Sequence, residues 1–114
     1  MTGIAAMALV GMSAATAAAG TSVSAKGERG AAYFQHNGDK LTVYDYKKDG
    51  WGVEGEVSWK SGGRWRSANV KPGGGGQHAS QSLNIKEGTE IQLILFYIDP
   101  DGAYINGRVH TGRA

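Results

Sequence analysis

Cysteine is absent from the 114 residues. That excludes a disulfide framework, a cysteine nucleophile and a thiolate zinc site. Charge is absent from the first 25 residues, because all 12 basic and 10 acidic residues lie from Lys26 onward. No serine sits in a Gly-x-Ser-x-Gly elbow, and no Gly-Lys-Ser/Thr follows the glycine run Gly73–Gly76. The sequence therefore lacks the hydrolase nucleophile motif and the phosphate loop. His36, His78 and His110 lie far apart and lack the spacing of a zinc site. The net charge of +2 is too small for a nucleic-acid binder, which concentrates many more basic residues. No apolar run reaches the ~20 residues that cross a bilayer, and no stretch carries a convincing amphipathic-helix period.

The uncharged opening, residues 1–25, has an apolar core, Ile4–Val10, followed by small residues. That is the order of a secretory leader, with small-x-small cleavage patterns at Ala17-Ala18-Ala19 and Val23-Ser24-Ala25. The basic n-region of such a leader is missing, which points to a start upstream; a short buried helix or membrane anchor is the alternative. The expectation is an exported, extracellular protein with no membrane attachment in its mature form. Residues 26–37 are then a flexible N-terminal segment with a first strand, and residues 38–114 the folded domain. A domain of this size buries only about 60–65% of its unfolded surface, and without disulfides packing alone must hold it.

The 19 glycines fall singly at turns or in one loop, as short strands and tight corners require. After a polar lead, Lys26–Gly30, expected to be mobile, Ala31–His36 is a first strand ended by Asn37-Gly38-Asp39, a hairpin signal. Lys40–Tyr46 places Leu41 and Val43 on one face and Thr42, Tyr44 and Tyr46 on the other. Trp51–Trp59 alternates cleanly: Trp51, Val53, Val57 and Trp59 face the core, and Gly55 between them leaves room for a large ring from the facing sheet. Arg64–Val70 reads as an exposed edge strand, Lys71–Gly76 as a flexible connection, and Ala79–Ile85 as a weaker strand. Thr89–Asp99 is the central strand, with Ile91, Leu93, Leu95 and Tyr97 on one face and Ile94, Phe96 and Ile98 on the other. Both of its faces are expected to meet protein. A last strand carries Ala103, Ile105 and Val109. The fold class is all-β: a small immunoglobulin-like or Greek-key β-sandwich of six to seven strands, with a closed small barrel as the runner-up.

Candidate chemistry is sparse. Glu54 and Glu56 share a strand face about 7 Å apart, a spacing open to glycosidase work but ordinary for a solvated face. Asp99-Pro100-Asp101-Gly102, and Asp45 with Asp49-Gly50, resemble fragments of calcium loops without the alternating acids and closing Glu. Aspartate and glycine are also the usual turn residues. Three tryptophans and five tyrosines are enough for a sugar platform. Trp65, between Arg64 and Arg66, has the composition of an interface hot spot.

Leu41–Asp45, Lys48–Val53, the glycine loop and Ile85–Thr89 ahead of a long apolar strand resemble a family of small secreted actinobacterial (Streptomyces-type) proteins. The likeness spans Gly38 to Ala114. It implies an immunoglobulin-like sandwich behind a signal peptide. Family members carry cysteines near the positions of Tyr44, His78, Tyr97 and the last hairpin; this chain is a cysteine-free variant, so no disulfide carries over. Some such proteins are similar to the adaptor subunit of umbrella toxin particles, which joins a lectin-like subunit to a stalk, and no functional residue transfers with that likeness.

The expected function is a secreted, non-catalytic binding or assembly module. It would engage another secreted or envelope protein, within a larger assembly, through strand edges and exposed aromatics. Tyr33, Phe34, Arg64, Trp65 and Arg66 are the candidate partner-binding residues; no catalytic residue, cofactor or metal ligand is expected. The alternative is a secreted inhibitor or toxin-like effector acting on an extracellular enzyme or the cell envelope, through a loop such as Lys71–His78.

Overall fold

The structure, a computed structural model, describes residues 20–114; the first 19 residues of the leader expected over residues 1–25 lie outside them. Eight strands follow in order: β1 Val23–Lys26, β2 Gly30–Gln35, β3 Lys40–Asp45, β4 Gly52–Ser61, β5 Arg64–Val70, β6 His78–Ser82, β7 Glu90–Ile98 and β8 Tyr104–Arg113. They form two four-stranded antiparallel sheets, β1-β2-β3-β6 and β5-β4-β7-β8. The consecutive strands β3 and β4 lie in different sheets, and so do their partners β6 and β7. This crossing is the Greek-key interlock of an immunoglobulin-like sandwich.

The core is the alternating inner face of both sheets, as period-two patterning dictates. Phe34, Leu41 and Val43 of the first sheet meet Val53, Val57, Ile91 and Leu93 of the second, all at most 1% exposed. Gly55 does make room for a facing side chain, but the occupant is Val43 with Ala32 behind it, not an aromatic ring. Trp59 packs against this cluster, whereas Trp51 lies outside the core and ahead of β4, beneath the Arg29 guanidinium at 4.1 Å. The Gly50 turn, at φ 80°, precedes Trp51 and removes it from the strand's phase.

The N-terminal segment departs most from expectation. Val23–Lys26 is a strand at the edge of the first sheet, and Ala25, inside the second cleavage pattern, is buried opposite Ala32. The polar lead is a tight turn: Gly27 N donates to Gly30 O at 2.9 Å, and Arg29 N donates to the Tyr97 hydroxyl at 3.1 Å. Arg29 also forms an ion pair with Asp49. A charged lead is held here because its one arginine has a carboxylate, a ring and a phenol to meet.

The glycine-rich connection is likewise tied down. Gly76 N donates to Asp45 O at 2.7 Å and Asp45 N to Gln77 O at 2.9 Å, so the loop docks on the end of β3. Asp45, 4% exposed, points inward there and accepts from Lys47 N at 3.3 Å. Burial pushes its carboxyl above the ordinary value, more than the Lys47 bond draws it back, and Asp49 adds repulsion. The sixth strand ends at Ser82, short of the expected Ile85. Ile85 instead plugs the core while its N–H donates to Asp39 Oδ2 at 3.1 Å. Asp39 holds a left-handed φ of 48°, fixed by that bond and by Leu83 N donating to its carbonyl at 2.8 Å.

The central strand β7 runs between β4 and β8 as expected. Its second face is covered differently. Ile98 is buried, but Ile94 and Phe96 are half-buried, shielded by neighbours in the same sheet and by no third layer among the described residues. The Phe96 ring meets Tyr104 edge-on at 5.9 Å, across a register shift between Ile94 and Phe96.

Candidate binding face on the outer surface of the first sheet

Side chains that alternate with the core positions of β1, β2, β3 and β6 share the outward face of the first sheet. Cross-strand register lays them out in rows. One row is Ser24, Tyr33, Thr42 and Ser80; the next is Lys26, Ala31, Tyr44 and His78; Gln35, Lys40 and Ser82 form a third. Tyr46 extends the face by one step, its N–H donating to Arg29 O at 2.8 Å. Ala31 is fully buried although it lies outside the core cluster, so it is the floor of this outer layer.

The rings are arranged about Tyr44. Tyr33 stands perpendicular to it with centroids 5.6 Å apart, and His78 stacks on it at 5.1 Å and 27°. These are the edge-to-face and offset geometries that aromatic quadrupoles prefer. Tyr44 is 37% exposed and Tyr46 48%. Hydrogen bonding with the Tyr33 phenol raises the Tyr46 pKa above that of an ordinary phenol. Lys26 Nζ lies 5.8 Å from the Tyr33 centroid. Tyr33, Tyr44, Tyr46 and His78 line an open groove of about 690 Å³, which Ser22, Gln35, Lys40 and Ser80 complete. Among the described residues no Asp or Glu lines it.

The residues expected to bind a partner are not brought together. Tyr33 lies in this groove. Phe34 is a correction: it is 0% exposed because it shares the inward phase of Ala32, and its side chain fills the core. Arg64, Trp65 and Arg66 sit on β5, the edge of the other sheet, all exposed, with Trp65 59% exposed and Lys60 Nζ over its ring at 5.4 Å. The sequence alone does not single out Tyr44, Tyr46 and His78 as binding residues. Their signal is the run Thr42, Tyr44, Tyr46 opposite Leu41 and Val43, but only the pairing of β3 with β2 and β6 adds Tyr33 and His78 to it.

The acidic candidates serve the fold. Glu54 accepts from Asn69 Nδ2 at 2.9 Å and from the Tyr104 hydroxyl at 2.9 Å, and Glu56 accepts more weakly from the same Asn69 at 3.4 Å. The bond to Glu54 raises the Tyr104 pKa. Asp99 Oδ1 accepts from Asp101 N and Ala103 N, both at 2.9 Å, and Asp49 Oδ1 accepts from Trp51 N at 3.0 Å. Each aspartate closes its own turn. No group of three His, Asp or Glu able to hold a metal stands among the described residues. No protein-family model, no curated protein and no solved structure is significantly similar to the chain.

Proposed function

We propose that the chain is an exported, non-catalytic binding module that holds an extracellular or envelope macromolecule against the outer face of its first sheet. The observation that carries this reading is the groove itself: three tyrosines and a histidine, clustered by register and left open where a sandwich ordinarily presents a plain polar surface. Ligand sites are concave, with rings for contact area and a few polar groups for orientation, and this face has both. The uncharged opening before Lys26 supports export. The alternative of an inhibitor with a protruding Lys71–His78 loop gains less support, because that loop is bonded back onto Asp45.

Photo-crosslinking tests the location. A crosslinking phenylalanine analogue replaces Tyr44 in one preparation and Trp65 in another, and each is exposed to culture medium and envelope material. Adducts from position 44 and none from position 65 are expected. Adducts from position 65 alone would move the site to the β5 edge and overturn the reading.

A further inference from the structure

We infer that the ligand of this face is an acidic oligosaccharide, a chain of sugar rings bearing carboxylate or sulfate groups; the inference rests on the face being a binding surface. Three observations converge on that chemistry.

The first is the ring geometry. Tyr33 and Tyr44, perpendicular at 5.6 Å, offer a ring face and a ring edge at adjacent positions of one open groove. The C–H groups on one side of a sugar ring are weakly positive and fit the negative face of a phenol, the same attraction that draws cations to rings.

The second is what surrounds the rings. The central row is Ser24, Tyr33, Thr42 and Ser80, and Gln35 stands in the next. Hydroxyls and amides both donate and accept, which matches sugar hydroxyls that do the same. Protein interfaces instead place an apolar, desolvated patch at the centre and polar groups at the rim. An extended peptide has no purchase here either, because strand addition uses free sheet edges while this groove opens on the face.

The third is charge. Lys40 lies in the groove and Lys26 beside Tyr33, and no carboxylate among the described residues lines the groove to neutralise them. The outer face of the other sheet carries Glu54 and Glu56 instead, whereas the first sheet's central row is uncharged and flanked by the two lysines. Lysine acts as a compact point charge suited to carboxylate or sulfate without fixed geometry. Lys26 is in register with Ala31 and Lys40 with Gln35, four positions apart on β2, or about 13 Å along the strand. Anions at that separation belong to a chain of several sugars, not to one.

The test is a titration of the isotope-labelled full chain, followed by amide shifts in NMR spectra. The probes are oligogalacturonate, a sulfated galactan oligosaccharide, a neutral cello-oligosaccharide and polyglutamate. Shifts at Tyr33, Thr42, Tyr44 and His78 are expected with at least one acidic saccharide, weakening as salt rises. The neutral saccharide should bind at least about tenfold more weakly, and polyglutamate should shift few of these amides. Tyr44→Ala and Lys40→Glu should each lose about tenfold in affinity while keeping a dispersed spectrum, and Trp65→Ala should lose nothing. The wild-type shift map stands even where a variant fails to fold. Equal binding of polyglutamate would reduce the site to bare electrostatics, and equal binding of the neutral chain would remove the acidic requirement; either overturns the inference. No shift with any saccharide also overturns it, and the crosslinks then separate the two failures. Adducts at position 44 to a protein would keep the face and replace the ligand class; no adduct there would remove both.

Discussion

Val43 occupies the space into which a side chain at Gly55 would grow: a Cβ there would lie 2.5 Å from Val43 Cγ2 and 3.1 Å from Ala32 Cβ. Here the smallest residue of one sheet faces a branched residue of the other. Gly55→Ala should therefore destabilise by about 1–3 kcal/mol through overpacking. Adding Val43→Ala should recover part of that loss, so the double variant costs less than the sum of the singles. Urea denaturation of the four proteins decides it; strictly additive losses would mean that the sheets meet elsewhere.

Processing is expected after Ala19, leaving Gly20 first, because the alternative cut after Ala25 would strip β1 from the first sheet. Val23 and Ala25 pack with the core, and Val23 stands opposite Phe34. Intact mass of the exported protein reads the site directly. A form engineered to start at Lys26 should lose at least about 2 kcal/mol from the lost apolar burial. A Lys26 start in the medium with unimpaired stability would show that β1 is dispensable.

Leu95→Ala should cost about 2–5 kcal/mol, since Leu95 is 7% exposed on the inner face of β7. Val57→Ala, at a fully buried site, should also destabilise, by at least about 1 kcal/mol. Glu54→Gln keeps an acceptor for Asn69 and Tyr104 and should change stability by no more than about 0.5 kcal/mol. It should also bring the Tyr104 pKa part of the way down toward that of an ordinary phenol, because a neutral amide accepts the phenol's hydrogen bond more weakly than the carboxylate and the neighbouring negative charge is gone. Chemical denaturation and a tyrosine titration by NMR check both parts.

Asp45 should make the fold less stable as pH rises. Its folded pKa is raised above the ordinary value, mainly by desolvation, so the folded state holds the proton more tightly than the unfolded chain. Stability is then fully present below the unfolded pKa and declines as pH rises through the folded one. Asp45→Asn keeps the acceptor for Lys47 N and removes the charge, so its advantage over the parent should grow from pH 3 to pH 7. Denaturation midpoints of the two proteins across that range measure the trend; an advantage that shrinks with rising pH would contradict it.

How far the residues announced this fold follows from which rules were local. The phases of Leu41–Val43, Val53–Val57 and Ile91–Leu95 were legible because period-two alternation needs no knowledge of the partner strand. Two strand ends misled. Trp51 keeps the phase on paper, but the Gly50 turn takes it out of the ladder and Arg29 covers it. Val23–Lys26 resembled the small-residue end of a leader because an edge strand packed against Ala32 needs small residues too. The candidate face was half legible: Tyr44 and Tyr46 declare an outward aromatic face, but Tyr33 and His78 join it only through long-range pairing. Phe34 failed for the same reason, since nothing local says which of two adjacent rings in β2 points inward.

One backbone bridge governs how the module would respond to being pulled. Thr21 N donates to Arg113 O at 2.9 Å and Arg113 N to Thr21 O at 3.0 Å, which ties the entry of the chain to its exit in antiparallel fashion. Tension applied through Gly20 and Ala114 would load this pair together with the two bonds that hold Ala114 itself, Ala114 N to Thr89 O and Gly88 N to Ala114 O, and would open the Thr21–Arg113 pair one bond at a time, like a zipper. A shear arrangement would share the load among many bonds, and this geometry does not provide one. The closure between the two ends of the described chain is thus mechanically soft when both are pulled at once.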